Sequence, residues 1–375
     1  MGSRLGPPKA GALGIAAALV LGAGVLGCGG DDEPSNGSAS ASGGGGGTKK
    51  VELLLSFPYS IYWTPLVVAN ELGYYDDEGL DVTFKETDGS GFVTQQLISR
   101  NSDFGRASAT NEIIAFEKDP KLRLAGCASP NNIYSIVVKQ GSPITSVEQL
   151  EGKTLGITEP GGGEEAVVNA ALGDAGLKAN NDVKLLPVGE AGPQSQQAIE
   201  KGQVDAYASS YPDIAALTAA GLTFADITPE KYNAVPGGCV ITHEDALADP
   251  DKRDTAIKLI RAEAKGALFA ETNPDAAFAL ICKAIPAECE DEAFAREYMK
   301  SALDRSGFSV IEPWGVVPAD AWDTVVTLLE DSDALEGDGL DPAPLYSELE
   351  PLSQEYLDFD QEAVKQQAEE HEAGS

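Results

Sequence analysis

Short apolar runs alternate along this chain with stretches whose apolar residues recur every three or four positions, which predicts strands and helices in turn. Strands are expected over 51–57 and 80–85, with a helix over 63–72 between them that stops at Gly73. Helix 91–99, an extended piece over 103–107, helix 111–117 and strands 122–128 and 134–139 follow. The pattern then restarts with a helical turn over 146–150. Strands 154–158, 183–188 and 205–209 come next, separated by helices 162–172 and 193–201 and followed by helix 212–220. One further strand, 238–242, precedes a region that reads as helix at 254–271, 274–284, 291–306 and 319–330. Segment 331–344 is acidic with Gly and Pro, and 361–370 reads as a short polar helix. This order implies α/β lobes with mainly parallel sheets and a helical C-terminal region.

Ahead of the first strand, an apolar run over 12–27 follows Arg4 and Lys9 and ends in Val25-Leu26-Gly27-Cys28. A charged start, a short apolar core and small residues before the cut describe a secretion leader, shorter than the ~20 apolar residues of a membrane-spanning helix. The cysteine at the boundary has the form of a bacterial lipoprotein processing site. Residues 1–27 are thus expected to be a signal peptide, Cys28 the lipidated residue, and the mature protein extracytoplasmic and anchored to the cell membrane. An ordinary signal peptide or an uncleaved anchor is the alternative. Residues 28–47, rich in Gly, Ser and Asp, read as a flexible tether.

The formal charge is -34, and loss of Arg4 and Lys9 with the leader takes the mature chain to -36. So acidic a surface disfavours nucleic acid and anionic headgroups, leaving the lipid on Cys28 as the membrane contact. The roughly 330 residues after the tether are enough for two domains. Four cysteines remain after Cys28, in an oxidising compartment. Cys282 and Cys289 flank a turn at Pro286 and suggest a local bridge. Cys127 and Cys239 either pair in turn or stay as buried thiols. His243 and His371 are the only histidines and stand in no ligand-spaced cluster, so no metal is expected.

Four blocks carry a resemblance: Tyr62-Trp63-Thr64-Pro65, the run Gly73-Tyr74-Tyr75-Asp76-Asp77-Glu78-Gly79-Leu80-Asp81-Val82, Gln149-Leu150-Glu151-Gly152-Lys153-Thr154-Leu155-Gly156 after Ile144 to Ser146, and Gly202-Gln203-Val204-Asp205-Ala206. They resemble substrate-binding proteins of ABC importers in the NMT1/THI5-like group, from about Val51 to Trp322. The resemblance implies a two-lobed type II periplasmic-binding fold in which the chain crosses between lobes twice. The crossings are placed near 138–141 and 235–238, giving lobe 1 as 48–139 and 238–375 and lobe 2 as 140–237. Gly73, Gly79 and Gly152 read as backbone punctuation within these blocks.

Open α/β sheets place their ligands beyond the carboxyl ends of the strands. Tyr59, Tyr62 and Trp63 crowd the first such loop and suit a flat or apolar ligand, with core packing as the other role for Trp63. Ser90, between Gly89 and Gly91, and Thr110 and Asn111 offer hydrogen bonds or simple helix caps. Tyr134 opens its strand. The turn Gly161 to Glu165 exposes N–H groups at Gly162 and Gly163, which suits an anion, while Glu164 and Glu165 put negative charge at the same helix start. If either carboxylate faces the cleft, the ligand presents N–H donors or positive charge; otherwise both serve the helix dipole. Tyr211 and Trp314 complete the candidates, Trp314 with a competing core role.

The expected function is capture of a small molecule by closure of two lobes, without a cofactor, by a monomer that delivers it to a permease and its ATPase. A pyrimidine-type thiamine precursor or related heterocycle is the first choice of ligand. A sulfonate such as taurine, or nitrate, comes second. A sensor accessory presenting ligand to a signalling protein uses the same cleft. Some relatives resemble thiamine-pyrimidine synthases that rely on a cysteine-rich motif and a reacting histidine; this chain lacks that cluster, so enzyme activity is not expected.

Overall fold

The computed structural model describes residues 48–332 and 334–371. The signal peptide, Cys28 and the tether over 28–47 lie outside them. The apolar runs become ten strands among the described residues. Strands β1 (Lys49–Leu55), β2 (Leu80–Glu86), β3 (Gly105–Ser108) and β4 (Leu122–Ser129) come first. They are followed by β5 (Tyr134–Lys139), β6 (Thr154–Ile157), β7 (Lys184–Pro187), β8 (Ala206–Ser210), β9 (Phe224–Asp226) and β10 (Gly238–His243). They form two five-stranded sheets, β2-β1-β3-β10-β4 and β7-β6-β8-β5-β9. One sheet lies at the centre of each lobe.

The sheets are mixed rather than mainly parallel. Strand β1 is parallel to β2 and β3, and β6 to β7 and β8, with helices connecting them. Strand β10 is antiparallel to β3 and β4, and β5 to β8 and β9. The reason is topological: β5 and β10 each arrive from the other lobe at the edge where their neighbours end, so they run back through the sheet. The first crossing also lies earlier than expected. Because Tyr134 and Ser135 already pair with Ser210 and Ser209, the chain changes sheet over 130–133, and 134–139 belong to the second lobe. An apolar run states that a strand is buried but not which sheet takes it. The return passes through 235–237 into β10.

Cys127 on β4 and Cys239 on β10 stand at disulfide distance on neighbouring strands, their Cα atoms 4.0 Å apart. Cys282 and Cys289 form a second such pair, with Cα atoms 5.6 Å apart. The first pair lies close to both crossings. Three residues also behave as punctuation: Gly73, Gly79 and Gly152 have φ of 74°, 75° and 71°, the left-handed region that suits glycine.

The helices that shape the cleft are α1 (Thr64–Glu71), α2 (Ser90–Ile98) and α3 (Ala109–Lys118) of the first lobe and α4 (Gly163–Asp174) and α5 (Tyr211–Ala219) of the second. Then α6 (Pro250–Thr272) and α7 (Glu292–Ser306) return to the first. No helix among the described residues is long and apolar enough to cross a membrane. Helix α1 buries Leu66, Val67, Val68 and Ala69 completely, and α6 packs on it. Their close approach depends on Gly266, where a Cβ would lie 2.1 Å from the Pro65 carbonyl oxygen and 2.9 Å from Ala69 Cβ. Backbone cannot yield as a flexible side chain does, so Gly266→Ala is expected to cost roughly 1–3 kcal/mol by overpacking. Urea unfolding checks this: the midpoint should fall while the slope stays unchanged.

Candidate functional site

A cavity of about 30 Å³ lies where β1, β3 and β4 end and β10 begins. Phe57, Tyr62 and Trp63 form one wall, packed edge to face, with Tyr62 and Trp63 centroids 4.6 Å apart. Trp63 serves both as wall and as core: it is buried, and its indole N–H donates to the Pro58 carbonyl at 3.2 Å. Ligand sites measure roughly 300–1,000 Å³, so this space by itself is smaller than an organic ligand needs. Wider hollows flank the cavity. One of about 870 Å³ lies between α2, α3 and the glycine turn, and one of about 440 Å³ lies beside Phe57, Glu190 and Tyr298.

Direct contacts hold the lobes together. The Thr110 hydroxyl donates to the Gly163 carbonyl at 3.1 Å, and the Asn111 amide donates to the Gly161 carbonyl at 3.4 Å. The Tyr134 hydroxyl of the second lobe sits next to the Ser108 and Ser90 hydroxyls of the first. Ser90 also accepts from the Ser108 N–H at 3.0 Å, and the Ser108 hydroxyl donates to Asn111 Oδ1 at 2.7 Å. Gly163 sits in the middle of this cluster, and a Cβ there would come within 2.0 Å of the Tyr134 hydroxyl and 2.6 Å of the Ser108 hydroxyl. On the other side of the cavity the Tyr211 hydroxyl donates to the Tyr298 carbonyl of α7 at 3.0 Å.

The carboxylates of the glycine turn serve their own lobe. Glu164 is 3 % exposed and accepts from the Thr158 N–H at 2.8 Å and from its hydroxyl at 2.5 Å. Burial pushes its carboxyl up to about 7, against the pull of these bonds. Glu165 accepts from the Gly161 N–H at 2.5 Å and lines the outer hollow. Neither lines the aromatic cavity, and the Gly162 and Gly163 turn is closed by Glu164 and by the first lobe.

Two further candidates lie apart from the cavity. Tyr59 turns away from the cavity with its hydroxyl buried and stacks on Phe84 with centroids 5.5 Å apart, because β2 supplies an apolar face there. Trp314 is 2 % exposed, stacked against Phe308 and beside Tyr356, whose hydroxyl donates to the Trp314 carbonyl. It is core of the C-terminal region. Two arginines that the sequence reading passed over do line the cavity. Arg106, on β3, is ion-paired with the buried Glu263 and sits 5.6 Å over the Trp63 ring. Arg305, on α7, lies 4.3 Å over the Tyr211 ring. A charged residue inside a buried strand was a legible signal for Arg106; Arg305 had none. Burial lifts the Tyr62 hydroxyl to about 12, opposed by both arginines.

The profile of one protein family, described as NMT1/THI5 like, matches residues 60–277. The chain belongs to the NMT1/THI5-like family. Its relatives include the riboflavin-binding protein RibY of Chloroflexus aurantiacus, 24% identical over 259 residues, covering 68% of this chain and 72% of the relative. A 4-amino-5-hydroxymethyl-2-methylpyrimidine phosphate synthase of Legionella pneumophila is 22% identical over 254 residues, 63% of this chain and 74% of that one. In fold, this NMT1/THI5-like chain is similar to the periplasmic aliphatic sulphonate-binding protein SsuA of Escherichia coli, with TM-score 0.58, 16% identity and 80% and 92% coverage. It is thus a periplasmic-binding-type protein by fold and family.

Two outcomes follow for this family member. Gly163→Ala should hold the lobes apart, read as a larger radius in small-angle scattering, and adding Tyr134→Phe should recover part of the compaction. Acid should also stabilise the chain. Glu164 holds its proton up to about 7 when folded and releases it near 4.5 when unfolded, so the folded state binds more protons between these values. Glu190, raised to about 7, and Glu112, raised to about 8, both mainly by burial, act in the same direction. The melting temperature should therefore fall as pH rises from about 5 to about 8, and Glu164→Gln should flatten part of that slope.

Proposed function

We propose that this chain is the extracytoplasmic, lipid-anchored substrate-binding protein of an ABC importer, capturing a small planar heterocycle by closure of its two lobes. The observation that carries this is the aromatic wall of Phe57, Tyr62 and Trp63 facing a cavity whose rim is sealed by bonds between lobes. Aromatic walls bind flat rings through area at little entropic cost. A pyrimidine-type thiamine precursor or related ring fits this wall, and the names of two relatives refer to riboflavin and to an aminopyrimidine. Nitrate would leave the rings uncovered. The protein acts as a monomer, held to the membrane through Cys28, and its closed form is what the permease and ATPase recognise.

Binding rather than synthesis is favoured by where the histidines lie. His243 caps a helix at the end of β10 opposite the cleft and faces Asp119, and neither it nor His371 lines the cavity. The four described cysteines stand in two pairs.

Mass spectrometry of the small molecule that copurifies with the chain tests the reading, with tryptophan emission as the titration signal. A planar ring compound is expected, and Tyr62→Ala should weaken it by about tenfold or more, equivalent to ~1.4 kcal/mol. A ligand-free protein whose emission answers to no metabolite fraction would defeat the proposal. Cys28→Ala should release the protein from the membrane fraction.

A further inference from the structure

The cavity has a charge opposite to that of the molecule around it. The chain carries -34 overall, yet the ionisable side chains lining the cavity are Arg106, Arg305 and Glu263, two cations against one anion. Arg106 and Glu263 are both buried and paired with one another, so they cancel. Arg305 is different: among the described residues no carboxylate pairs with it. Its recorded hydrogen bonds run from Nη1 alone, to the carbonyl and hydroxyl of Ser301 on its own helix. Those bonds and the Tyr211 ring beneath it fix the plane of the guanidinium. Among the described residues no acceptor meets the edge carrying Nη2.

Around the Tyr211 and Tyr298 rings stand Asp304, Glu297, Asp213 and Glu288, and among the described residues none of them forms an ion pair with Arg305; Asp304 is paired with Lys300. Glu164 is held by Thr158, and Asp213 accepts from the hydroxyls of Ser209 and Ser210 and from the Ala191 N–H. Glu288 accepts from the Ile61 N–H. An arginine held flat, partly buried and uncompensated is an acceptor-seeking group, and its fork matches a carboxylate, sulfonate or phosphate in bidentate fashion.

Resting on the binding-protein reading above, we infer that Arg305 is the specificity-determining residue of the cleft and that the captured ring compound carries an acidic group, which docks on its free edge. Because Arg305 sits on the first lobe and stacks on Tyr211 of the second, an anion placed there touches the one cation that both lobes help to hold. Charge selection and closure therefore occur at the same point. Aromatic rings on one wall and a guanidinium on the other suit a heteroaromatic acid better than a neutral base or an amine.

The test uses the full chain, purified in detergent, and a polar metabolite extract separated by anion exchange into a retained and a flow-through fraction. Melting temperature and tryptophan emission are read for the wild type, Arg305→Gln and Arg305→Lys. The retained fraction should shift the wild type, Arg305→Gln should need at least about tenfold more of it, and Arg305→Lys, which keeps charge but not the fork, should fall between. A shift produced by the flow-through fraction, or an equal response of the wild type and Arg305→Gln to the retained one, would overturn the inference while leaving the importer reading intact. No shift with either fraction would remove both. The melting temperatures without ligand show whether each variant is folded.

Discussion

How near the two lobes come is set by the missing side chain at Gly163. With only hydrogen there, the start of α4 settles onto hydroxyls from both lobes, and its carbonyl and that of Gly161 are offered to Thr110 and Asn111. Everything that follows at the cleft uses this close approach. The Tyr134 hydroxyl can reach Ser108 and Ser90, and Tyr211 can reach Tyr298 on the far side. The closing bonds are neutral and few, each worth about 1 kcal/mol net. Their sum is small enough for a bound molecule to tip the balance between open and closed.

The same cleft separates two kinds of polar group. Carboxylates cluster around it, but Glu164, Asp213, Glu263 and Glu288 each have a protein partner, which keeps an acidic chain from filling its own cavity with unpaired negative charge. Glu164 is the clearest instance: its position at a helix start suggests a ligand contact, whereas its oxygens close the turn that precedes it. Cations are rarer here and less satisfied, and Arg305 is the one left facing the space between lobes.

Much of the architecture was legible from periodicity, because a strand buried on both faces must be apolar and a helix against a sheet must be striped. The strands and long helices fall where the pattern put them, within a few residues. What periodicity could not give was sheet membership, since the β5 run would look alike in either lobe. Tyr62 and Trp63 stand on the cavity wall and Thr110, Asn111, Gly163 and Tyr211 in contacts between the lobes, all at strand ends or helix starts. Tyr59 and Trp314 lie apart from the cavity, their rings packed on apolar neighbours on β2 and in the C-terminal region, the core role already weighed for Trp314. Arg305 was invisible because only the third dimension distinguishes it from other basic residues on polar helix faces.

The pairing of β4 with β10 has a consequence for how such a molecule could be assembled. Cys127 and Cys239 are 112 positions apart in the chain, yet their Cα atoms are 4.0 Å apart in space. Everything between them, including the entire second sheet, leaves and re-enters through the narrow gap at the ends of these two neighbouring strands. The second lobe is in effect a cassette threaded into a loop of the first, and a short turn at that gap could replace it without stretching the host sheet. Its size and sequence are thereby free to diverge while the host keeps its register.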